Sequence, residues 1–570
     1  MKLVLKDYIE SLKEEGELDS LLTDLLWSVG IKIFTRPNKG TRQYGVDIAA
    51  YGKNFQNSIE DQNKEVFLIT VKKGNFDRNN WDSGKNSIRQ SLNDIIDVYI
   101  PNRLGKQYNN CKINIVVASN GELSEGVIDN WVSYTKEQGT KNDKLNFVFW
   151  GIRDLVQLTE DNLLSELLFP EDHRLLLRKT LSFLDLPDYD LRHFYELNEK
   201  LFQKCLPLKN NRKLIKNLRL LRLISNILLK GCVEMNNIKP AIIASERVLI
   251  LYWDWFKKRN SFNEKEPIKE LISYHFFKIQ INRIYFAKVQ TSYYSEDGLS
   301  FGIGNLLEYS LITYEQIGIS ATIGMSELYE AMVHFPSDPN YSETCYKNAM
   351  QVSQSLGELI FNNPASCYPK YDEHCIEINL AMILFYQTER FDIAIQWLEK
   401  LISYLRDNYL LKEFIPLFIT DYEKLIQIEV GGYKEEISSS ILITCLADWC
   451  IMLKEDNLYK NLIELIEQSL PNIDLQHWHP EENTEENLFN SNAMRETGST
   501  RSSIKLPKNP IEYEMEMVEE RNIFFDETKF LHNNKGFQHI EYLANRHFRT
   551  YVFPNSWRQL LNTRFCFNKP

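Results

Sequence analysis

The chain changes texture once, near residue 175, and that change restricts its possible folds more than any other feature. Before it, short apolar runs of β type alternate with helical stretches. IKIF (31–34), VDIAAY (46–51), EVFLITVKK (65–73), INIVVAS (113–119) and LNFVFW (145–150) read as strands. LLTDLLWSVG, with Gly30 as its stop, SIRQSLNDIIDVYI (87–100), LSEGVIDNWVSYTKE (123–137) and a last segment from Arg153 read as helices. This alternation specifies an α/β domain over residues 1–165, a mixed sheet covered on both faces. After residue 175 the apolar residues recur at helical spacing, so 175–475 is expected to stack helix on helix. Residues 476–511 are polar and contain proline, and read as a long loop or linker. The segment 512–570 turns aromatic and basic, and is expected to pack back as a small terminal unit.

Size and charge bound the function classes. A chain of 570 residues is long enough for three or four domains of roughly 150 residues each. With 43% apolar and 12% aromatic residues it can bury large cores, which excludes a disordered chain. The net charge of −12 argues against a polyanion binder that uses its whole surface. Between Lys32 and Lys106, however, 13 Lys and Arg stand against 8 Asp and Glu, a local excess that suits a groove tracking a phosphate backbone. Nine cysteines without a CxxC pair indicate neither a disulfide framework nor a thiolate zinc site. No export signal or membrane span is read, so the expected location is the cytoplasm.

The stretch that carries chemistry is GVDIAA followed by FLITVKKG. Asp47 lies on the second strand, and Thr70 and Lys72 share one face of the third. An acid and a lysine on neighbouring strands converge at one end of a sheet. There a divalent metal can hold a phosphate while the lysine orients a water, the requirements of phosphodiester hydrolysis.

This arrangement resembles the PD-(D/E)XK nuclease superfamily, and in particular the Mrr-like restriction endonucleases and nuclease domains of bacterial antiphage effectors. The resemblance covers residues 17–160: an acidic leading helix ending in LLWSVG, IKIF, RPNKGTRQYGVDI, a helix carrying Gln90, IVVASNGELSEGV and FVFWG. It implies a restriction-endonuclease-like fold, a Mg²⁺ or Mn²⁺ cofactor, double-stranded DNA as partner, Asp47 as metal-binding aspartate and Lys72 as motif lysine. Thr70 stands where the family has its second acid, and a neutral hydroxyl is a weak ligand for a hard cation. Three outcomes are open: Glu17 or Asp19 supplies the missing carboxylate, the Val71 carbonyl with water suffices, or the domain binds nucleic acid without cutting it. Glu65, seven residues from Lys72, falls on the opposite face. Lys39, Arg42, Lys73, Arg78, Lys85, Arg89 and Gln90 are the expected nucleic-acid contacts.

Elsewhere, INLAMILFYQTERFDIAIQWLEKLI (378–402) resembles one tetratricopeptide repeat, with Phe385, Phe391, Ala394 and Leu398 as packing residues and a turn near Glu389. The helical region is therefore expected to sense a partner or ligand, and a homo-oligomer is open. His477 and His479, beside Glu481, read as part of a surface loop and not as a metal cluster. FGIG (301–304) lacks the context of a dinucleotide site. Arg546, His547, Phe548 and Arg549 suit either external contacts or the packing of a terminal helix. Two function classes follow: a metal-dependent DNA endonuclease of restriction or antiphage type regulated by its helical region, or a catalytically degenerate nuclease fold serving as a binding scaffold.

Overall fold

The structure, a computed structural model, describes residues 2–35, 44–54, 64–82, 87–108, 110–162, 171–184, 186, 189–209, 212–301, 303–412, 414–418, 420–431, 439–489, 498–523 and 529–553. A mixed five-stranded sheet lies near the N-terminus, and a large helical region follows it. Two compact units divide the chain: Met1–Ala244 with Ser261–Glu270, and Ser245–Asn260 with Leu271–Pro570.

In the first unit α1 (Lys2–Ser11), a π turn (Glu14–Leu18) and α2 (Asp19–Ser28) precede β1 (Lys32–Thr35), β2 (Ile48–Lys53) and β3 (Lys64–Lys72). Then come α3 (Arg78–Asp82), α4 (Ile88–Asp94) continued by a π turn into α5 (Ile100–Arg103), β4 (Ile113–Ser119), α6 (Glu125–Lys141), β5 (Leu145–Trp150) and α7 (Ile152–Asn162). The strands lie side by side in chain order. β1, β2 and β3 pair antiparallel, while β4 and β5 add parallel through helical crossovers.

The central strands β3 and β4 are buried along almost their whole length, which explains their nearly unbroken apolar runs. On one face Val66 and Leu68 join Ile88, Leu92, Ile95, Val127 and Tyr134 from the crossover helices in one core. Phe67, Ile69 and Val71 point the other way and are equally buried, on the side of α2 and α7.

The unit that holds the sheet runs past residue 165. It includes α8 (Glu171–Leu181), α9 (Arg192–Cys205) and α10 (Arg212–Glu234), and α10 packs on α1. Arg222 Nη2 lies 2.7 Å from Asp7 Oδ2, and Arg219 donates from Nη1 to the Asp7 carbonyl at 2.9 Å and from Nε to Glu270 at 2.8 Å. α1 thus has the sheet unit on one side and α10 on the other, so the unit cannot end where its last strand does.

α11 (Lys239–Arg259) and α12 (Lys265–Tyr293) cross the division. In the second unit α13 (Leu306–His334) is buried along most of its length. It packs on α14 (Pro339–Asn362) and on α15 (Cys375–Gln387), where Gly324 lies so close to Leu384 that a Cβ would stand 2.5 Å from that side chain. α15 and α16 (Phe391–Lys412) form the expected hairpin, and Glu389 makes its turn with φ +56°. Phe385, Ala394 and Leu398 are buried in it, whereas Phe391 is exposed.

α17 (Tyr422–Glu429), β6 (Ser439–Ser440), α18 (Leu442–Met452), α19 (Asp456–Ser469) and β7 (Asp474–Leu475) follow. The polar stretch 476–511 is more ordered than its composition suggests. β8 (His477–His479) pairs antiparallel with β9 (Ser499–Arg501), and α20 (Thr484–Leu488) lies between them, with Leu488 and Phe489 buried. α21 (Pro510–Ile523), α22 (Leu531–Asn534) and α23 (His539–Phe548) complete the described chain. The basic residues of the tail pack inward: Arg546 meets Glu246 at 2.6 Å and Arg549 meets Glu373 at 2.8 Å. Trp557 and Arg558, further along the aromatic and basic tail, lie outside the described residues. Among the described residues no helix is long and apolar enough to cross a membrane.

Candidate active site

The site lies at the end of the sheet where β2 begins and β3 ends. Asp47 immediately precedes β2, and its backbone N–H donates to the Ile69 carbonyl at 2.9 Å. Its approach is through a tight turn, with Tyr44 at φ +49° and Gly45 at φ +77°. A Cβ on Gly45 would stand 2.3 Å from the Ser91 carbonyl, so only glycine lets the chain pass α4 here.

The Asp47 carboxylate is largely buried. Its Oδ2 accepts the Val71 N–H at 2.7 Å, which fixes its orientation on the neighbouring strand. Burial raises its pKa above the ordinary carboxylate value; the Val71 amide and Lys72 counter this, and the charge of Asp19 adds to the rise. The Thr70 hydroxyl is buried beside Asp47 with no hydrogen-bond partner at normal distance, although it weakly favours the carboxylate. The Val71 N–H is thus committed to Asp47, while its carbonyl was the group expected to face a cation.

Sequence reasoning missed Glu14. It opens the π turn after α1 and places Oε1 3.9 Å from Lys72 Nζ. Its pKa is raised by burial first; Lys72 and the Lys73 backbone amide pull it down, while Asp47 and Glu15 push it up. Asp47, Glu14 and Lys72 therefore lie within one electrostatic neighbourhood, with Asp19 at the start of α2 acting on Asp47 from one side. The signal available in the sequence was the acidic run Glu14, Glu15, Glu17, Asp19, but spacing alone could not say which member turns inward.

Glu17, one of the two expected donors, turns elsewhere. It accepts the Lys13 N–H at 2.9 Å and pairs with Lys216 of α10 at 2.9 Å. Burial alone would raise its pKa, but these partners hold it below the usual value. Glu65 is also committed: it accepts from Asn114 at 2.7 Å and Asn54 at 2.9 Å at the far end of β3.

Asn120, just after β4, ties the site together. Its Nδ2 donates to the Ile9 and Leu12 carbonyls at 3.2 and 3.0 Å, closing the C-terminal end of α1 two residues before Glu14. Its Oδ1 accepts the Gly74 N–H at 2.8 Å, two residues after Lys72.

Of the expected nucleic-acid contacts, Arg78, Arg89 and Gln90 are exposed and Lys73 is half-buried. Arg78 donates weakly to the Gly126 carbonyl at 3.5 Å, Arg89 pairs with Asp82 at 3.2 Å, and the Gln90 N–H caps α4 on Ser87. Lys39, Arg42 and Lys85 lie outside the described residues.

Asp47, Glu14 and Asp19 are hard oxygen donors, and the charges of Asp19 on Asp47 and of Asp47 on Glu14 are felt across the site, but the three carboxylates do not gather within 4.8 Å of one another as a preformed cation site would. No family model, no curated protein and no solved structure matches the chain.

Proposed function

We propose that the first unit is a metal-dependent endonuclease of the PD-(D/E)XK type acting on double-stranded DNA. The observation that supports the reading is the gathering of Asp47, Glu14 and Lys72 at one end of β2 and β3, with Glu14 standing in for the acid that Thr70 does not provide. Asp47, with Glu14 or Asp19 as a second carboxylate, would hold Mg²⁺ or Mn²⁺, which would supply Lewis-acid stabilisation of charge at a scissile phosphate. Lys72, drawn toward Glu14, presents its ammonium to the attacking water and to the developing phosphate charge. Asp47 is kept in place by the Val71 amide, so one of its oxygens remains for the cation. The helical second unit, with its tetratricopeptide-like hairpin, is the proposed regulator that senses a partner or ligand, in the manner of a restriction or antiphage effector.

The test is cleavage of supercoiled plasmid by the full chain with Mg²⁺ or Mn²⁺. Nicking that disappears in Asp47→Ala and Lys72→Ala supports the proposal. A wild type that stays inert with both metals, yet shifts DNA in a binding assay equally well with and without Asp47→Ala, replaces it with the second reading, a DNA-binding scaffold. The neutral Thr70 at the acid position is what favours that alternative.

A further inference from the structure

A second constellation lies in the helical unit, away from the reading just given and independent of it. His477 and His479 are two residues apart on β8, so both imidazoles project from the same face of the strand. Their ring centroids are 4.1 Å apart. Glu520, on the third turn of α21, brings a carboxylate to the same place, and one donor atom from each residue lies within 4.8 Å of the other two.

We propose that His477, His479 and Glu520 form a zinc site that joins the β8–β9 hairpin to α21. The donor chemistry selects the ion: two imidazoles and one carboxylate suit Zn²⁺, whereas Mg²⁺ and Ca²⁺ prefer all-oxygen sets. Zn²⁺ binds imidazole nitrogen at about 2.0–2.1 Å and carboxylate oxygen at about 2.0–2.2 Å. Tetrahedral ligands at such lengths stand roughly 3.4 Å apart, so the present spacing closes by small side-chain rotations.

The surroundings support a metal site. Asp448 of α18 is almost wholly buried, and its Oδ2 stands 3.7 Å from His477 Nε2. The Tyr513 hydroxyl donates to its Oδ1 at 2.7 Å and fixes it. A carboxylate behind a histidine is the arrangement that orients an imidazole toward a metal. The hairpin is held closely too: a Cβ on Gly498, next to β9, would stand 2.3 Å from the His479 carbonyl. Three protein donors leave a fourth position for water or an incoming ligand.

The site differs from the Asp47 site in donor set and preferred ion, and the experiment separates the two. Chelator-treated full chain is titrated with Zn²⁺ against a chromophoric chelator, and with Co²⁺ as a visible probe of four-coordination. Wild type and Asp47→Ala should bind one Zn²⁺ with equal affinity, give four-coordinate Co²⁺ bands and melt at a higher temperature with Zn²⁺ than without. Glu520→Gln, a half-buried and nearly isosteric change, should weaken Zn²⁺ binding by the folded protein at least about tenfold, and Asp448→Asn about 10–100-fold. His477→Ala should remove the Co²⁺ bands. Equal Zn²⁺ affinity in wild type and Glu520→Gln, or loss of the Zn²⁺ on Asp47→Ala, would overturn the proposal, as would the absence of binding by wild type.

Discussion

The Lys72 ammonium on β3 stands 3.9 Å from the Glu14 carboxylate in the turn after α1, whereas Glu17, three residues on, pairs with Lys216 of α10. The two glutamates therefore have separate fates. Glu14→Gln should reduce plasmid cleavage by at least about 100-fold, the upper part of the range over which groups around a metal respond. Glu17→Gln should leave the rate within about twofold and lower stability modestly through loss of its pair with Lys216. Equal losses in the two variants would show that the acidic turn acts by folding alone.

Metal affinity should depend on pH in a defined direction. Asp47 and Glu14 have raised pKa values, in each case chiefly through burial, so in metal-free protein they keep protons to higher pH than free carboxylates do. Their contribution to metal-free stability is present below the ordinary carboxylate range and is lost as pH rises through the raised values. Bound cation requires the ionised forms. The gain in melting temperature on adding Mn²⁺ should therefore grow with pH and flatten once both are ionised. In Asp47→Asn the growth should be reduced.

Thr70 is buried, with its hydroxyl beside Asp47. Thr70→Glu would add the absent acid on the correct strand face but must displace its neighbours, while Thr70→Asp adds it at nearly constant volume. Both should lower the melting temperature in chelator, because a second buried carboxylate repels the first. Thr70→Asp should recover more than the wild-type gain when Mn²⁺ is added. A Thr70→Asp protein indifferent to metal would argue against a cation at this end of the sheet.

Asn120 is a positioning residue. It links the α1 carbonyls that precede Glu14 to the Gly74 amide that follows Lys72. Asn120→Ala removes the side-chain partner of the Leu12 carbonyl and of the Gly74 amide, while the Ile9 carbonyl keeps the Leu12 N–H, at roughly 1–3 kcal/mol in stability. Beyond that loss, cleavage by the folded fraction should fall and the apparent Mn²⁺ requirement should rise, because Glu14 and Lys72 lose their common tether. Asn120→Asp should restore the Gly74 bond but not those to α1, giving an intermediate result. Unchanged Mn²⁺ dependence in the folded Asn120→Ala protein would assign the residue to stability alone.

A separate pH effect is expected in the helical unit. His532 is fully buried between Glu485 at 2.8 Å and Glu541 at 2.9 Å. Burial alone would lower its pKa, but the two carboxylates raise it from 6.5 to about 9. The imidazolium is thus the folded form at neutral pH. Its contribution, on the order of 3 kcal/mol, is fully present below pH 6.5 and is lost as pH rises through about 9. Urea midpoints of the wild type should fall across that window. His532→Gln should start lower and show a flatter profile.

Strand and helix identity were legible wherever burial is imposed locally. A strand buried on both faces must be apolar at successive positions, so INIVVAS and FLITV announce β4 and β3. The helical hairpin around Glu389 was visible for a similar reason: its packing residues recur at helical spacing within 25 residues. The segments around Asp47 and Lys72 were legible as strands, but it is the antiparallel pairing of β2 with β3, absent from the sequence pattern, that places both residues at one end of the sheet. α1 was not legible as a helix, because its 10 residues are too few to show a helical repeat of apolar positions. β8 and β9 were hidden too, because they pair across about 20 residues of polar chain and neither has enough length to show alternation. Tertiary structure alone decided that Glu14 turns toward Lys72 while Glu17 turns toward Lys216, and that Glu520 reaches His477 and His479. A side chain's local pattern sets the element it belongs to; its partner depends on which distant element packs against that face, and short-range sequence carries no record of that choice.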